Sequence, residues 1–216
     1  DLPANSKLKK IGVEAFKTSS IEQISIPSSV SSIGKMAFDG CDKLQTIEFI
    51  EKSQIKFFDS FVFSNLMIEE LTIPSSLIDV KTLWCKSSPN IKKIKISSNN
   101  EFFYNFENSF IVQRIIKNDF EVIIFAMRNI KTVFIPSFIK MIQSCSFELC
   151  SSLQKVEFSK DSQLLSIGNF SFSKSSIEYI EIPESVRVID DTAFLRCEKL
   201  RKVVFGQNSK LEIIGK

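Results

Sequence analysis

Histidine is absent from this chain of 216 residues, and glycine and proline occur only six times each. Without histidine, the chain lacks the usual general base for a serine or cysteine nucleophile and a common ligand of zinc. The sequence also has no glycine-rich phosphate-binding loop. These absences predict a protein that is not an enzyme and that uses no metal and no cofactor.

Long apolar runs are missing too, since none approaches the length of about 18 residues that a membrane span requires. The chain opens at Asp1 without a signal-peptide pattern, which is typical of an excised segment. Its 28 basic and 25 acidic residues give a formal charge of +3 and are scattered along the chain. Because no basic stripe is present, nucleic acid is a poor candidate for a partner. The apolar content of 44% excludes disorder.

Periodic apolar pairs are abundant in this sequence, and each pair encloses one further residue. The pairs recur about every 23 or 24 residues, with one longer step between the fourth and the fifth: Ile24/Ile26, Ile47/Phe49, Leu71/Ile73, Ile94/Ile96, Val133/Ile135, Val156/Phe158, Ile180/Ile182 and Val203/Phe205. Alternation of this kind predicts a short strand at each pair. About eight repeats follow from this spacing.

A second signature, Ile-Gly-x-x-Ala-Phe, precedes most of these strands, for example at Ile11 to Phe16 and at Ile33 to Phe38. One such unit cannot bury its apolar face, but stacked units can, each adding a parallel strand about 4.8 Å from the last. We expect the strand aliphatics, the isoleucine and the phenylalanine to point inward, with the phenylalanines forming a stacked spine. Because Leu2 to Gly12 aligns with Phe205 to Gly215, the solenoid is expected to be truncated at both ends.

The pattern Ile-Gly-x-x-Ala-Phe-x-x-Cys-x-x-Leu-x-x-Ile-x-Phe, which runs from Ile33 to Phe49, resembles the BspA-like leucine-rich repeat family. The resemblance covers nearly the whole chain. It implies one leucine-rich-repeat solenoid domain over 1–216, with a parallel β-sheet on the concave face and short helical turns and loops on the convex face. It also implies a surface or secreted adhesin that binds matrix proteins, host cells or other microbes, and it supplies no catalytic residues.

Two stretches depart from the repeat. Trp84 and Cys85 stand where Ala-Phe is expected, which predicts a locally different convex side. About 16 extra residues follow, and residues 99–126 contain two β-rich runs around a turn at residues 117–119, which predicts a β-hairpin insertion. Aromatic residues near the hairpin could either reach a partner or pack over neighbouring coils: Phe102, Phe103, Tyr104 and Phe106.

The residues that flank the buried pair on each strand are expected to face the concave surface, because side chains alternate along a strand. Two interpretations remain open: a solvated polar face, or a ligand platform on which Phe134 and Tyr179 are aromatic anchors among charges. The candidate ligand-binding residues are Glu70, Lys93, Lys95, Phe134, Lys155, Tyr179, Glu181 and Lys202. Paired carboxylates such as Glu69/Glu70 and Asp190/Asp191 are interpreted as solvated surface.

The cysteines form neither a Cys-x-x-Cys pair nor a regular framework. Cys41, Cys150 and Cys197 occupy the same slot of different coils, too far apart for the limit of about 7 Å between Cα atoms in a disulfide. They are predicted to be small core residues. The possible glycosylation sequon at Asn169 lies inside the repeat turn and is interpreted as a chance match.

Two functions follow from the repeat and its resemblance. The first is a non-catalytic adhesion or host-interaction module at the cell surface or secreted, binding an extracellular-matrix, host-cell or microbial surface protein. The alternative is a cytoplasmic scaffold that docks a partner protein, which agrees with free cysteines. Flanking sequence with a signal peptide or an anchor would favour the first.

Overall fold

The structure is a computed structural model that describes residue 3, residues 5–115 and residues 120–216. It contains two compact units, Asp1–Asn105 and Phe106–Lys216. Each unit is a stack of coils with parallel strands, as the repeat predicts. Within the described residues, no segment forms a helix, so the expected short helical turns are not found.

The first unit contains long and short strands in strict alternation. In chain order they are β1 (Lys10–Ile11), β2 (Gln23–Ile26), β3 (Ser32–Ile33), β4 (Thr46–Phe49), β5 (Phe57–Phe58), β6 (Glu70–Ile73), β7 (Asp79–Val80) and β8 (Lys93–Ile96). The short strands form one parallel sheet in the order β1-β3-β5-β7, and the long strands form the parallel pairs β2-β4 and β6-β8. Strand β9 (Phe103–Phe106) spans the division between the units.

The second unit begins with the two longest strands and then resumes the alternation. Its strands are β10 (Phe110–Ile115), β11 (Phe120–Ala126), β12 (Thr132–Ile135), β13 (Ile139–Ile142), β14 (Lys155–Phe158), β15 (Ser166–Ile167), β16 (Tyr179–Ile182), β17 (Val188–Ile189), β18 (Lys202–Phe205) and β19 (Ile213–Ile214). The long strands pair in the order β12-β14-β16-β18, and the sheet of short strands runs β19-β17-β15-β13 and continues into β11 and β10.

Tight turns, instead of helices, connect each short strand to the next long strand. In the first coil, Ala15, Lys17 and Ser19 donate backbone hydrogen bonds to residues three positions earlier, whereas Glu14 and Thr18 donate to the following coil. Glu14 and Thr18 have φ values of 56° and 55°. A residue with left-handed backbone conformation at every fourth position interrupts any right-handed helix. The same left-handed conformation is required at the third position of a type II turn.

The phenylalanine spine is confirmed in each unit. In the first unit, the rings of Phe16 and Phe38 stack with their centroids 5.4 Å apart, and Phe38 stacks on Phe63 at 5.8 Å. In the second unit, Phe172 stacks on Phe147 at 4.9 Å and on Phe194 at 5.5 Å. The isoleucine or phenylalanine that precedes each of these turns is buried as predicted: Ile11, Ile33, Phe58, Ile142, Ile167 and Ile189.

The coil with Trp84 is the predicted exception to the spine. The Trp84 carbonyl accepts the hydrogen bond from Phe63 N–H, just as the Ala37 carbonyl accepts from Phe16, so the tryptophan occupies the alanine slot. Its ring is buried, 5.7 Å from the Phe58 ring and 6.4 Å from the Phe63 ring. The large side chain thus fills the volume that Cys85, in the phenylalanine slot, leaves open.

The hairpin prediction is confirmed in its strands. Strands β10 and β11 are antiparallel, whereas β11 pairs with β13 in parallel, so the insertion extends the sheet of short strands. The predicted turn at residues 117–119 lies outside the described residues. Of the aromatic cluster, Phe103 is buried, and the Phe106 ring stacks 5.0 Å from Phe110 and lies 6.1 Å from Phe138. For Phe103 and Phe106, these positions favour packing.

The inward register holds for seven of the eight long strands. In β18 the predicted inward residues, Val203 and Phe205, are 37% and 40% exposed. Strand β18 is an edge strand of its sheet. No further coil within the described residues covers these two side chains, which accounts for the difference.

Candidate functional site

The outward faces of the long strands carry the residues that the sequence predicted as ligand-binding. Among these residues, Glu70 is half-buried and the other seven are exposed. They fall into two groups, because Glu70, Lys93 and Lys95 belong to the first unit and the remaining five to the second.

The first group forms a closed set of ion pairs. Strands β6 and β8 are in register, so that Glu70 lies beside Lys93 and Thr72 beside Lys95. The Glu70 carboxylate binds Lys93 Nζ at 3.3 Å and also pairs with Lys95. Hydrogen bonding from Lys95, with a smaller contribution from Lys93, lowers the pKa of Glu70. This carboxylate is thus already neutralised by its own neighbours, which favours the solvated polar face for this part of the surface.

The second group combines exposed aromatic rings with charges. Phe134 is 49% exposed and Tyr179 is 43% exposed. The strand register places Lys155 beside Tyr179 and Tyr179 beside Lys202, whereas Phe134 lies beside Glu157. Aromatic rings that stay this accessible among charged neighbours are typical of binding hot spots.

A groove of about 1080 Å³ in the second unit joins part of this face to the loops that follow the strands. Its sheet side includes Lys155, Tyr179 and Glu181 of the predicted set. Phe134 and Lys202 are not among its lining residues but flank it through the strand register. The loop side of the groove comes from residues that the sequence did not single out, among them Lys160, Pro183, Glu184, Asn208 and Lys210.

Neighbouring loops are tied together at this groove. The Glu184 carboxylate accepts a hydrogen bond from the N–H of Asn208 at 3.3 Å, and its backbone carbonyl accepts one from the N–H of Lys210 at 2.9 Å. The loop residues lie one to five positions after the ends of their strands, at offsets that differ from loop to loop, so the alternation of the strands gives no signal for them.

The charges of the groove are balanced, with three lysines and three glutamates along its lining: Lys155, Lys160, Lys210, Glu157, Glu181 and Glu184. Lys155 and Glu157 form an ion pair at 2.5 Å. The Tyr179 hydroxyl donates to Glu181 at 3.4 Å, and desolvation together with this carboxylate raises the pKa of Tyr179. Tyr179 therefore presents a neutral hydroxyl at physiological pH. A mixed surface of this kind suits a protein partner better than a polyanion.

Cysteine thiols can act as nucleophiles or as metal ligands. All five are free thiols, in agreement with the predicted absence of a disulfide among Cys41, Cys150 and Cys197. Burial raises the pKa of Cys150, and that of Cys197 in the same way, so neither thiol is activated as a nucleophile. Cys41 and Cys150 are buried as predicted, whereas Cys197 is partly exposed. Within the described ranges, no three potential ligands form a metal-binding group.

Comparison with known proteins agrees with the repeat. The sequence profile described as "BspA type Leucine rich repeat region" matches residues 9–124 and 118–216, in six copies. No curated protein matches the sequence. The described residues contain no helix with the length and apolarity of a membrane span.

Solved structures share the fold. The pneumococcal vaccine antigen PcpA has a TM-score of 0.80 and 23% identity, covering 94% of this chain and 55% of its own. A leucine-rich cell surface protein from Faecalibacterium prausnitzii has a TM-score of 0.68 and 18% identity, covering 92% of this chain and 63% of its own. A leucine-rich repeat protein from Eubacterium ventriosum has a TM-score of 0.70 and 20% identity, covering 93% and 58%. The chain thus spans 55–63% of the length of these proteins.

Proposed function

Because the chain belongs to the BspA-type leucine-rich repeat family, we propose that it is a non-catalytic module displayed at the cell surface, where it binds a protein ligand. Leucine-rich repeats generally mediate protein binding, since a stack of coils offers one extended face. The ligand class is an extracellular-matrix protein, a host-cell protein or a protein of another microbe.

The observation that carries this proposal is the combination of exposed aromatic rings with a charge-balanced groove in the second unit. Phe134 and Tyr179 supply apolar contact area at a low cost in conformational entropy, as anchors of protein interfaces do. The lysines and glutamates beside them would set orientation and partner choice. The long strands described in the first unit carry no aromatic ring on their outward positions, where Glu70 pairs with its neighbouring lysines.

Surface display is supported by two structural neighbours, since the Faecalibacterium prausnitzii protein is a leucine-rich cell surface protein and the pneumococcal PcpA is a vaccine antigen.

Binding is tested with the double variant Phe134→Ala/Tyr179→Ala, assayed by surface plasmon resonance against matrix proteins and by adhesion to host cells. Because both side chains are exposed, the thermal midpoint should stay nearly unchanged while affinity falls about tenfold or more. Phe57→Ala is the matched control, since Phe57 is 51% exposed but lies on a short strand of the first unit. If the double variant bound with wild-type affinity, the surface around Phe134 and Tyr179 would not be the binding site.

The alternative function, a cytoplasmic scaffold, is favoured by one observation: all five cysteines are free thiols, as is usual in a reducing compartment. Antibody staining of intact, unpermeabilised source cells separates the two functions. Staining of intact cells supports surface display. A signal that appears only after permeabilisation supports the scaffold and directs the search to intracellular partners by pull-down.

A further inference from the structure

A second, smaller pocket lies among the turns of the second unit, away from the groove. Its volume is about 270 Å³, and three cations line it together with two serines and one carboxylate: Lys174, Arg196, Lys199, Ser175, Ser176 and Glu198. The repeat pattern does not call for charge at these positions.

The framework of this pocket is a pair of adjacent turns. Lys174 N–H donates to the Leu195 carbonyl at 2.9 Å, which places Lys174 next to Arg196 on the neighbouring coil. The Ser175 hydroxyl lies 3.5 Å from Cys197 Sγ, and this thiol donates to the Phe172 carbonyl at 3.0 Å. The Ser175 and Cys197 side chains thus lie between the two turns and link them.

The first unit contains the same framework without two of the three cations. There the Ser19 hydroxyl lies 3.5 Å from Cys41 Sγ, and Cys41 donates to the Phe16 carbonyl at 2.9 Å. Thr18 occupies the slot of Lys174, and its N–H donates to the Asp39 backbone carbonyl at 2.8 Å. Gly40 occupies the slot of Arg196. The fold therefore does not require positive charge at these two slots.

The cations of the second unit also lack the partners that would explain them structurally. Lys174 and Arg196 occupy corresponding positions of neighbouring coils, about 4.8 Å apart along the stack, where like charges repel. In the part of the chain that the structure describes, neither these two residues nor Lys199 forms an ion pair. Only Glu198 brings a carboxylate to the pocket, so positive charge remains in excess.

We propose that this pocket binds a tetrahedral oxyanion, a sulfate or phosphate group, either free or carried on a sugar. An arginine fork and two lysines supply only donors, and serine hydroxyls add short-range donors. The pocket has the size for one such group and not for a folded domain. This site is separate from the protein-binding groove and does not depend on the function proposed for it.

The test is an NMR titration of the full chain with sodium sulfate, sodium phosphate and a sulfated heparin disaccharide, at constant ionic strength maintained with chloride. Saturable shifts are expected at the amides of 174–176 and 196–199. The variant Lys174→Gln/Arg196→Gln should weaken binding about tenfold or more, because two charge-assisted contacts are lost. Unchanged amide positions elsewhere will show that this variant is folded.

The first unit provides the converse experiment. Thr18→Lys/Gly40→Arg transplants the two cations onto the matching framework, where Asp42 and Lys43 already correspond to Glu198 and Lys199. New saturable shifts at 18–20 and 40–43 are expected. Weak, unsaturable shifts that are equal in the wild type and in the glutamine variant would overturn the proposal. Tighter binding of the disaccharide than of inorganic sulfate identifies a sugar-borne group, whereas equal binding identifies the free anion.

Discussion

At the scale of single residues, the closeness of successive coils governs which side chains are tolerated. A Cβ atom added to Gly168 would lie 2.7 Å from the backbone nitrogen of Ser144 and 2.9 Å from the Ile142 carbonyl oxygen. Both contacts are with backbone atoms, which cannot rotate away. In contrast, a Cβ atom on Gly12 would meet no atom within 4 Å.

Gly168→Ala should therefore lower the free energy of unfolding by about 1–3 kcal/mol, because the added methyl group forces two coils apart. Gly12→Ala serves as the matched control and should be neutral or slightly stabilising, since alanine restricts the unfolded chain. Urea denaturation of both variants measures the difference. Equal stabilities would show that the coils separate without cost at Gly168.

The Cys150 thiol provides a pH-dependent prediction. Burial raises its pKa above the ordinary value, so the folded protein holds this proton at a pH where the unfolded chain has released it. Stability from this group is full below the ordinary thiol pKa of about 8.5 and is lost as pH rises through the raised value. The stability advantage of wild type over Cys150→Ala should therefore shrink between pH 8 and pH 10 in chemical denaturation. A constant advantage across this range would contradict the assignment.

At the scale of the element, the coil with Trp84 keeps the volume of its buried side chains although the large side chain stands in a different slot. Trp84→Ala should cost about 3–5 kcal/mol, because the cavity would open beside Phe58 and Phe63. Adding Cys85→Phe to that variant recreates the Ala-Phe turn of the other coils and should recover part of the loss. A double-mutant cycle by thermal denaturation measures the coupling. Strict additivity of the two changes would contradict the exchange of slots.

The long strands and the short strands differ in how well the sequence predicts them. Each long strand displays the period of two over four residues, and the pairs from Ile24/Ile26 to Val203/Phe205 lie where the alternation predicts strands. Apart from β13, which has four residues, the short strands have two residues each, such as Ser32–Ile33, which is too few for a period to appear. The sequence predicts only that each contains a buried apolar residue, and it does not predict the second sheet.

The turns could not be identified from the sequence for a different reason. Positive φ is expected mainly at glycine, asparagine or aspartate, yet the left-handed positions here include Glu14, Met36 and Leu149. The hydrogen bonds to the next coil hold these residues in that conformation, and such contacts are not visible in one sequence.

At the candidate site, alternation correctly predicted exposure of Phe134 and Tyr179, whereas the loop residues Lys160 and Lys210 have no periodic signal.

At the scale of the whole molecule, stability should vary along the stack, since each coil is stabilised mainly by its neighbours. In the second unit, β14 and β15 have paired strands on both sides, whereas β18 and β19 are edge strands. Ile213 and Ile214 of β19 are more than half exposed, and Val203 and Phe205 of β18 are partly exposed.

In a protein consisting of residues 1–216 alone, hydrogen exchange measured by mass spectrometry should therefore be faster in β18 and β19 than in β14 and β15. The exposed edge opens without breaking contacts on both sides, whereas a central coil cannot. Uniform protection across these four strands would indicate that the unit opens only as a whole.

The hydrogen-bond pattern of the turns has a consequence for how such genes can change. Within each unit, a repeat turn donates N–H groups to the turn of the next coil at matching positions, as Glu14, Phe16 and Thr18 do in the first unit and Cys145, Phe147 and Leu149 do in the second. Duplication or deletion of one complete coil leaves every donor with an acceptor of the same geometry. A single inserted codon within a turn would instead shift the residues downstream of it by one position. Residues that bond within their own turn and residues that bond to the next coil would then exchange places. Unequal recombination in multiples of a repeat is thus the route by which this architecture can lengthen or shorten while remaining foldable.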